Sequence, residues 1–185
     1  SPDPIPHELV FPPTTDPATI RHRGNAWLFP STTTSEWRSR DLFVPHPDPA
    51  RASEGLWRFY GRVDDAVELA SGAKFFPGPW EAAVRGHPRV AHCMVVGAGR
   101  SRPGVLVEPM EELVGGEEEE KGFVEEVWPV IEKANEGVAA CARVERGMVR
   151  VVRPGSLVRA PKGTVIRRAS GEGHREVIEG MYRGE

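Results

Sequence analysis

Three places in this 185-residue sequence carry residue types suited to chemistry, and in each the surrounding pattern breaks down. His7-Glu8 opens the arrangement in which two histidines one helical turn apart hold zinc beside a glutamate base. Phe11 stands where the second histidine belongs, and the neighbouring prolines exclude the helix. Gly97-Ala98-Gly99 follows an apolar run, as a pyrophosphate-binding turn does, but Arg102 replaces the third glycine and Pro103 follows it. Lys162-Gly163-Thr164 has the lysine and hydroxyl of a triphosphate loop without the upstream glycine whose amides would cradle the phosphates. What remains is a charge asymmetry hidden in a net charge of -3: Glu108 to Glu126 holds nine acids and one base, and Arg143 to Arg168 holds eight bases and one acid. The basic stretch is interleaved with Val149, Val151, Val152, Leu157 and Val165 and has no aromatic residue to stack a base. It suits strands and loops around an anionic ligand better than a nucleic-acid arm.

The elements that must position these groups belong to a soluble, loop-rich chain. Hydrophobic residues make up 39% and charged residues 28%, and 20 Gly with 18 Pro raise the share of turns. At this length about 70% of the unfolded surface can be buried, enough for a real core in one to one and a half domains. No apolar run reaches the ~18 residues of a membrane-spanning helix, and Ser1 to Pro6 lacks a basic-then-apolar leader, so the expected location is cytoplasmic, with no membrane partner. Cys93 and Cys141 are too few for a disulfide scaffold or a paired-cysteine metal site; both sit in apolar settings and read as small core residues.

Short apolar runs at Glu8 to Phe11, Ala26 to Phe29, Leu42 to Val44 and Leu56 to Tyr60, separated by Pro, Thr and Asp clusters, predict short strands of a sheet or barrel edge with no helix of normal length. From Gly61 the pattern changes. Ala66 to Ala70, the Ser71-Gly72 turn and Lys74 to Phe76 predict a β-hairpin, and Pro79 starts a helix through about Arg85, closed by Gly86 and Pro88. Val90 to Val96 and Val105 to Val107 predict a strand pair. Glu117 to Val138 carries Phe123, Val124, Val127, Val130, Ile131 and Ala134 at helical spacing, with Pro129 either kinking that helix or starting a second. Met148 to Val152 is a further strand, Pro154 to Gly163 a loop, and Ala169 to Met181 a weak final helix. The second half is therefore expected to be α+β, a small sheet with helices against it.

Five segments in order carry a resemblance: Trp37-Arg38-Ser39-Arg40-Asp41-Leu42, then Trp57 to Asp65, then Ser71-Gly72-Ala73-Lys74, then Pro77 to Glu81, and finally Lys162-Gly163-Thr164-Val165-Ile166-Arg167. Together they resemble the last part of the AMP-forming acyl-adenylating ligases: acyl-CoA synthetases, luciferases and peptide-synthetase adenylation domains. Asp41-Leu42-Phe43 with His46-Pro47, Gly61 to Asp65, and Val127 to Ile131 with Ala134-Asn135 resemble the fungal synthetase-like adenylation and reductase proteins.

The resemblance implies that residues 1–62 end a β-rich, incomplete barrel subdomain and that 63–185 form a C-terminal lid. It implies that Asp41 and Arg62 hold the ribose and phosphate of ATP or AMP, and that Asp64 is the hinge, with Asp65 an alternative pivot. Gly72 would turn toward a pantetheine tunnel in the thioester-forming pose, and Lys162 would be the catalytic lysine at the α-phosphate. In the commoner pattern the lysine follows Ser-Gly and precedes an arginine by three; here Lys162 precedes Arg167 by five, and ungapped matching puts Thr164 in its place. The phosphate loop, the adenine-stacking motif and the acid pocket are absent from the sequence, as are ligands for the Mg²⁺ that a complete enzyme needs. The expectation is a fragment inactive alone, which needs an N-terminal adenylation subdomain and takes CoA or a phosphopantetheine carrier as acceptor. The alternatives are a docking or split-enzyme module, a truncated inactive product, and a small α+β nucleotide-binding protein in its own right.

Overall fold

The structure is a computed structural model that describes residues 5–14, 16, 18–19 and 36–183. The chain divides into two compact units, Ser1–Asp64 and Asp65–Glu185.

In the first unit β1 (His7–Phe11), β2 (Trp37–Pro45) and β3 (Trp57–Arg62) form an antiparallel sheet in the order β1-β2-β3. Alternation sets its faces: Leu42 and Val44 point inward and are buried, while Trp57 and Phe59 are about half exposed. Between β2 and β3 lies a short helix, α1 (Pro49–Ser53), begun by a proline in its first turn and by Asp48, whose carboxylate accepts from the Ala50 amide. The sheet among the described residues is open rather than a closed barrel. The strand expected at Ala26 to Phe29 lies outside the described residues.

The second unit opens with the hairpin β4 (Val67–Glu68) and β5 (Lys74–Phe75), whose turn places Gly72 at φ +79, a conformation that favours glycine. Helix α2 (Pro77–Val84) starts two residues before the expected Pro79, because Pro77 already supplies the fixed φ and missing donor of a first turn. Strands β6 (Val90–Val96) and β7 (Gly104–Pro109) pair antiparallel, and β8 (Val149–Val151) pairs parallel to β7. A parallel neighbour needs a long crossover, and α3 (Gly116–Asn135) lies in it. Pro129 neither divides nor ends α3; it sits on the exposed face, where water can satisfy the carbonyl it leaves free. Phe123, Val127, Ile131 and Asn135, four residues apart, form the buried stripe of α3. The expected final helix is two, α4 (Arg167–Gly173) and α5 (Arg175–Met181).

The core of this unit is built from β6, β7, α2 and α3, with Val105, Leu106, Val107, Val84 and Ile131 fully enclosed. Asn135 ties it together: its amide oxygen accepts from Trp80 Nε1 at 3.1 Å and from the Val144 amide at 3.0 Å, and its Nδ2 donates to the Val144 carbonyl at 2.9 Å. Cys93 is buried, and burial pushes its thiol far up, so it stays protonated. Cys141 is exposed, which corrects its reading as a core residue: it lies in the 3₁₀ turn Ala140–Ala142, where Ala142 and not the cysteine faces inward.

Candidate functional site

In the first unit the sheet brings Asp41 and Arg62 opposite one another across β2 and β3. Arg62 Nη1 donates to Asp41 Oδ1 at 3.0 Å, and Arg62 Nη2 lies 3.8 Å from Asp64 Oδ2. Arg40 Nη1 reaches Asp64 Oδ1 at 2.5 Å, so the hinge candidate is held between two guanidiniums. Arg40 has φ +61, the one non-glycine residue in the left-handed region among those described, and it sits where the β1–β2 register shifts between Glu8 and Val10. Its amide donates to Glu8 Oε1, which anchors the bulge. The sequence names Arg40 within its segment, yet nothing local marks it as the residue that grips Asp64, 24 positions later.

Asp41 is part-exposed, and one oxygen already takes Arg62; the other has no partner among the described residues and is available to a hydroxyl. The residues present thus fit a ribose: a carboxylate acceptor next to a forked donor. Among the described residues no group of three or more His, Cys, Asp or Glu side chains is placed to hold a metal ion.

In the second unit Gly72 is an open turn, with nothing within 4 Å of where a Cβ would stand. Lys162 lies at the tip of a small hairpin rather than on a loose loop. Arg159 bridges Val165, the Ala160 amide donates to the Thr164 carbonyl at 2.9 Å, and the Gly163 amide, at φ +86, donates to the Ala160 carbonyl at 2.8 Å. The lysine is exposed and has no ion-pair partner among the described residues; Thr164, two positions on, is exposed as well.

Arg167 follows the hairpin directly. Its Nη2 donates to both Glu81 carboxylate oxygens, at 2.7 and 2.6 Å, its Nη1 donates to the Val95 carbonyl at 3.1 Å, and its Nε lies 3.7 Å from Asp65. Glu81 also accepts from the Val95 amide at 2.7 Å, so the two side chains together occupy the free edge of β6 as a paired strand would. A cavity of about 500 Å³ in this unit is lined by Pro109, Leu113, Val152, Arg153, Ser156 and His174 among others and contains none of the predicted site residues.

Small sheets with helices against them, and no closed barrel among the described residues, match the C-terminal subdomain of adenylation enzymes. The adenylation and carrier didomain of a carboxylic acid reductase from Segniliparus rugosus, solved with AMP, superposes with a TM-score of 0.60 at 16% identity, over 80% of this chain and 21% of that one. The adenylation domain of a carboxylate reductase from Mycobacterium chelonae gives 0.60 at 17% identity, over 88% of this chain and 25% of that one. Residues 64–185 match the AMP-binding enzyme C-terminal domain, and the chain belongs to that family. Among curated relatives, the adenylate-forming reductase Nps11 of Serpula lacrymans is 33% identical over 79% of this chain and 13% of its own length. A carboxylic acid reductase of Neurospora crassa is 31% identical over 86% of this chain and 15% of its own length. The chain thus spans about a seventh of the length of these relatives. No described helix is long and apolar enough to cross a membrane.

Proposed function

We propose that this chain is the C-terminal part of an ATP-dependent, acid-activating enzyme that forms acyl-adenylates. In this reading residues 1–62 end the nucleotide-holding subdomain and 63–185 form the lid. Asp41 accepts the ribose hydroxyls, Arg62 neutralises ribose and phosphate oxygens, and rotation at Asp64 exchanges an adenylate-forming pose for a thioester-forming one. Lys162 supplies a positive charge where the carboxylate and α-phosphate oxygens meet in the transition state. The thioester acceptor is a phosphopantetheine-bearing carrier or CoA, approached through the turn at Gly72.

The observation that carries this reading is the Asp41–Arg62 pair, set by the β2–β3 register at a surface where a carboxylate oxygen stays open. The chain on its own lacks the phosphate loop, so purified protein is expected to bind AMP weakly and to show no ATP–pyrophosphate exchange with a panel of carboxylic acids. Adding a separately expressed adenylation subdomain should restore exchange, and Lys162→Ala should then abolish most of it. Exchange by the purified chain alone would show that it is not a dependent part. Restored exchange that Lys162→Ala leaves untouched would remove the lysine from the reaction.

A further inference from the structure

The central strand β7 is buried along its whole length, and one of its six residues is a glutamate. Glu108 is 1% exposed. A carboxylate there gives up its hydration unless a partner offsets the loss, so a residue of this type needs a reason that core packing does not supply. His92 faces Glu108 across the β6–β7 ladder, and the hydrogen-bond and ion-pair partners of the glutamate lie on one segment, residues 155–159, just ahead of the Lys162 turn. Glu108 Oε1 accepts from the Gly155 amide and lies 3.8 Å from Arg159 Nη1, while Oε2 is buried without a hydrogen-bond partner among the described residues. The open oxygen leaves an acceptor for the second nitrogen of the Arg159 fork, so the pair can tighten from one contact to two.

The same segment is held from its other side. The amide of Val158 donates to Ser170 Oγ at 2.9 Å, with Ser170 fully buried at the start of α4, and the Ile166 amide donates to the Val158 carbonyl at 2.8 Å. Beyond these anchors the hairpin closes through Arg159, Val165, Ala160 and Thr164, with Pro161 and Lys162 at its tip. Arg159 is therefore the last residue whose side chain reaches the core before the lysine, three positions on. We propose that Glu108 is a positioning residue for Lys162, acting through the Gly155 amide and the Arg159 guanidinium. The proposal rests on the reading of Lys162 as the adenylation lysine.

Amide hydrogen exchange on the 185-residue chain tests the latch without nucleotide. Glu108→Gln keeps an acceptor for Gly155 and removes the charge that attracts Arg159. Exchange at Ala160 and Gly163 should rise about five- to tenfold while Gly155 and the α3 amides stay within about twofold of wild type. Arg159→Met, a change at a more exposed position, should give the same pattern even if the glutamate variant folds poorly. In ATP–pyrophosphate exchange with the supplied adenylation subdomain, both variants should lower kcat about tenfold per folded molecule, the folded fraction being counted by near-ultraviolet circular dichroism, with the KM for ATP within about twofold. Unchanged exchange at Ala160 and Gly163 in Arg159→Met overturns the latch and leaves the lysine's role standing. Full activity of Lys162→Ala overturns that role instead.

Discussion

Asp41 and Arg62 are direct cross-strand partners in the β2–β3 ladder, and their side chains meet at 3.0 Å. Opposite residues of an antiparallel pair hold their Cβ atoms about 5 Å apart, so the register alone brings the charges together. Both are part-exposed, and such a pair contributes about 1 kcal/mol or less to stability. Asp41→Ala should therefore leave the melting temperature nearly unchanged while weakening AMP binding, measured calorimetrically, by about tenfold or more. AMP affinity that survives the substitution removes Asp41 from the ribose site.

Arg40 has a left-handed backbone and a side chain on Asp64. Glycine relieves a backbone strain of about 1 kcal/mol but gives up the ion pair, whereas alanine gives up the pair and keeps the strain. In urea titrations Arg40→Gly should be neutral to slightly stabilising, and Arg40→Ala less stable than Arg40→Gly by about 1 kcal/mol. Equal midpoints for the two variants would show that the bulge is not under strain.

Asn135 satisfies three buried groups at once, the Trp80 indole and both backbone groups of Val144. Leucine at this position fits the stripe of α3 and leaves all three without a partner, at about 1 kcal/mol or more each. Asn135→Leu should lose about 3 kcal/mol or more by chemical denaturation, and Trp80→Phe, which removes one donor, about 1 kcal/mol. A leucine variant as stable as wild type would mean that water takes over these bonds.

His92 lies opposite Glu108 in the β6–β7 ladder. Burial holds its imidazole below the ordinary value of 6.5, the positive charges of Arg159 and Arg85 push it the same way, and Glu108 opposes them. The folded chain thus binds fewer protons than the unfolded one between the lowered value and 6.5. Its contribution to stability is complete above that ordinary value and declines as pH falls below it. The urea midpoint of wild type should drop between pH 7 and pH 5 by more than that of His92→Gln, in which the titrating group is gone; parallel profiles would count against a neutral, part-buried His92.

Local pattern was enough for much of the architecture. The apolar stripe of α3, the Ser71-Gly72 hairpin, and the runs at Val90 to Val96 and Val105 to Val107 each declare themselves within a dozen residues, because helical and strand periodicities are properties of neighbours along the chain. The order of the five segments pointed to the family in the same way, through the residues themselves. Tertiary structure alone decided the contacts that cross the sequence: Arg167 with Glu81, 86 positions apart; Gly155 with Glu108, 47 apart; Arg40 with Asp64 through a backbone bulge. It also decided that β8 runs parallel to β7 and that Cys141 faces outward. Charge and burial are set by what packs against a residue, and no periodicity records which distant element that will be.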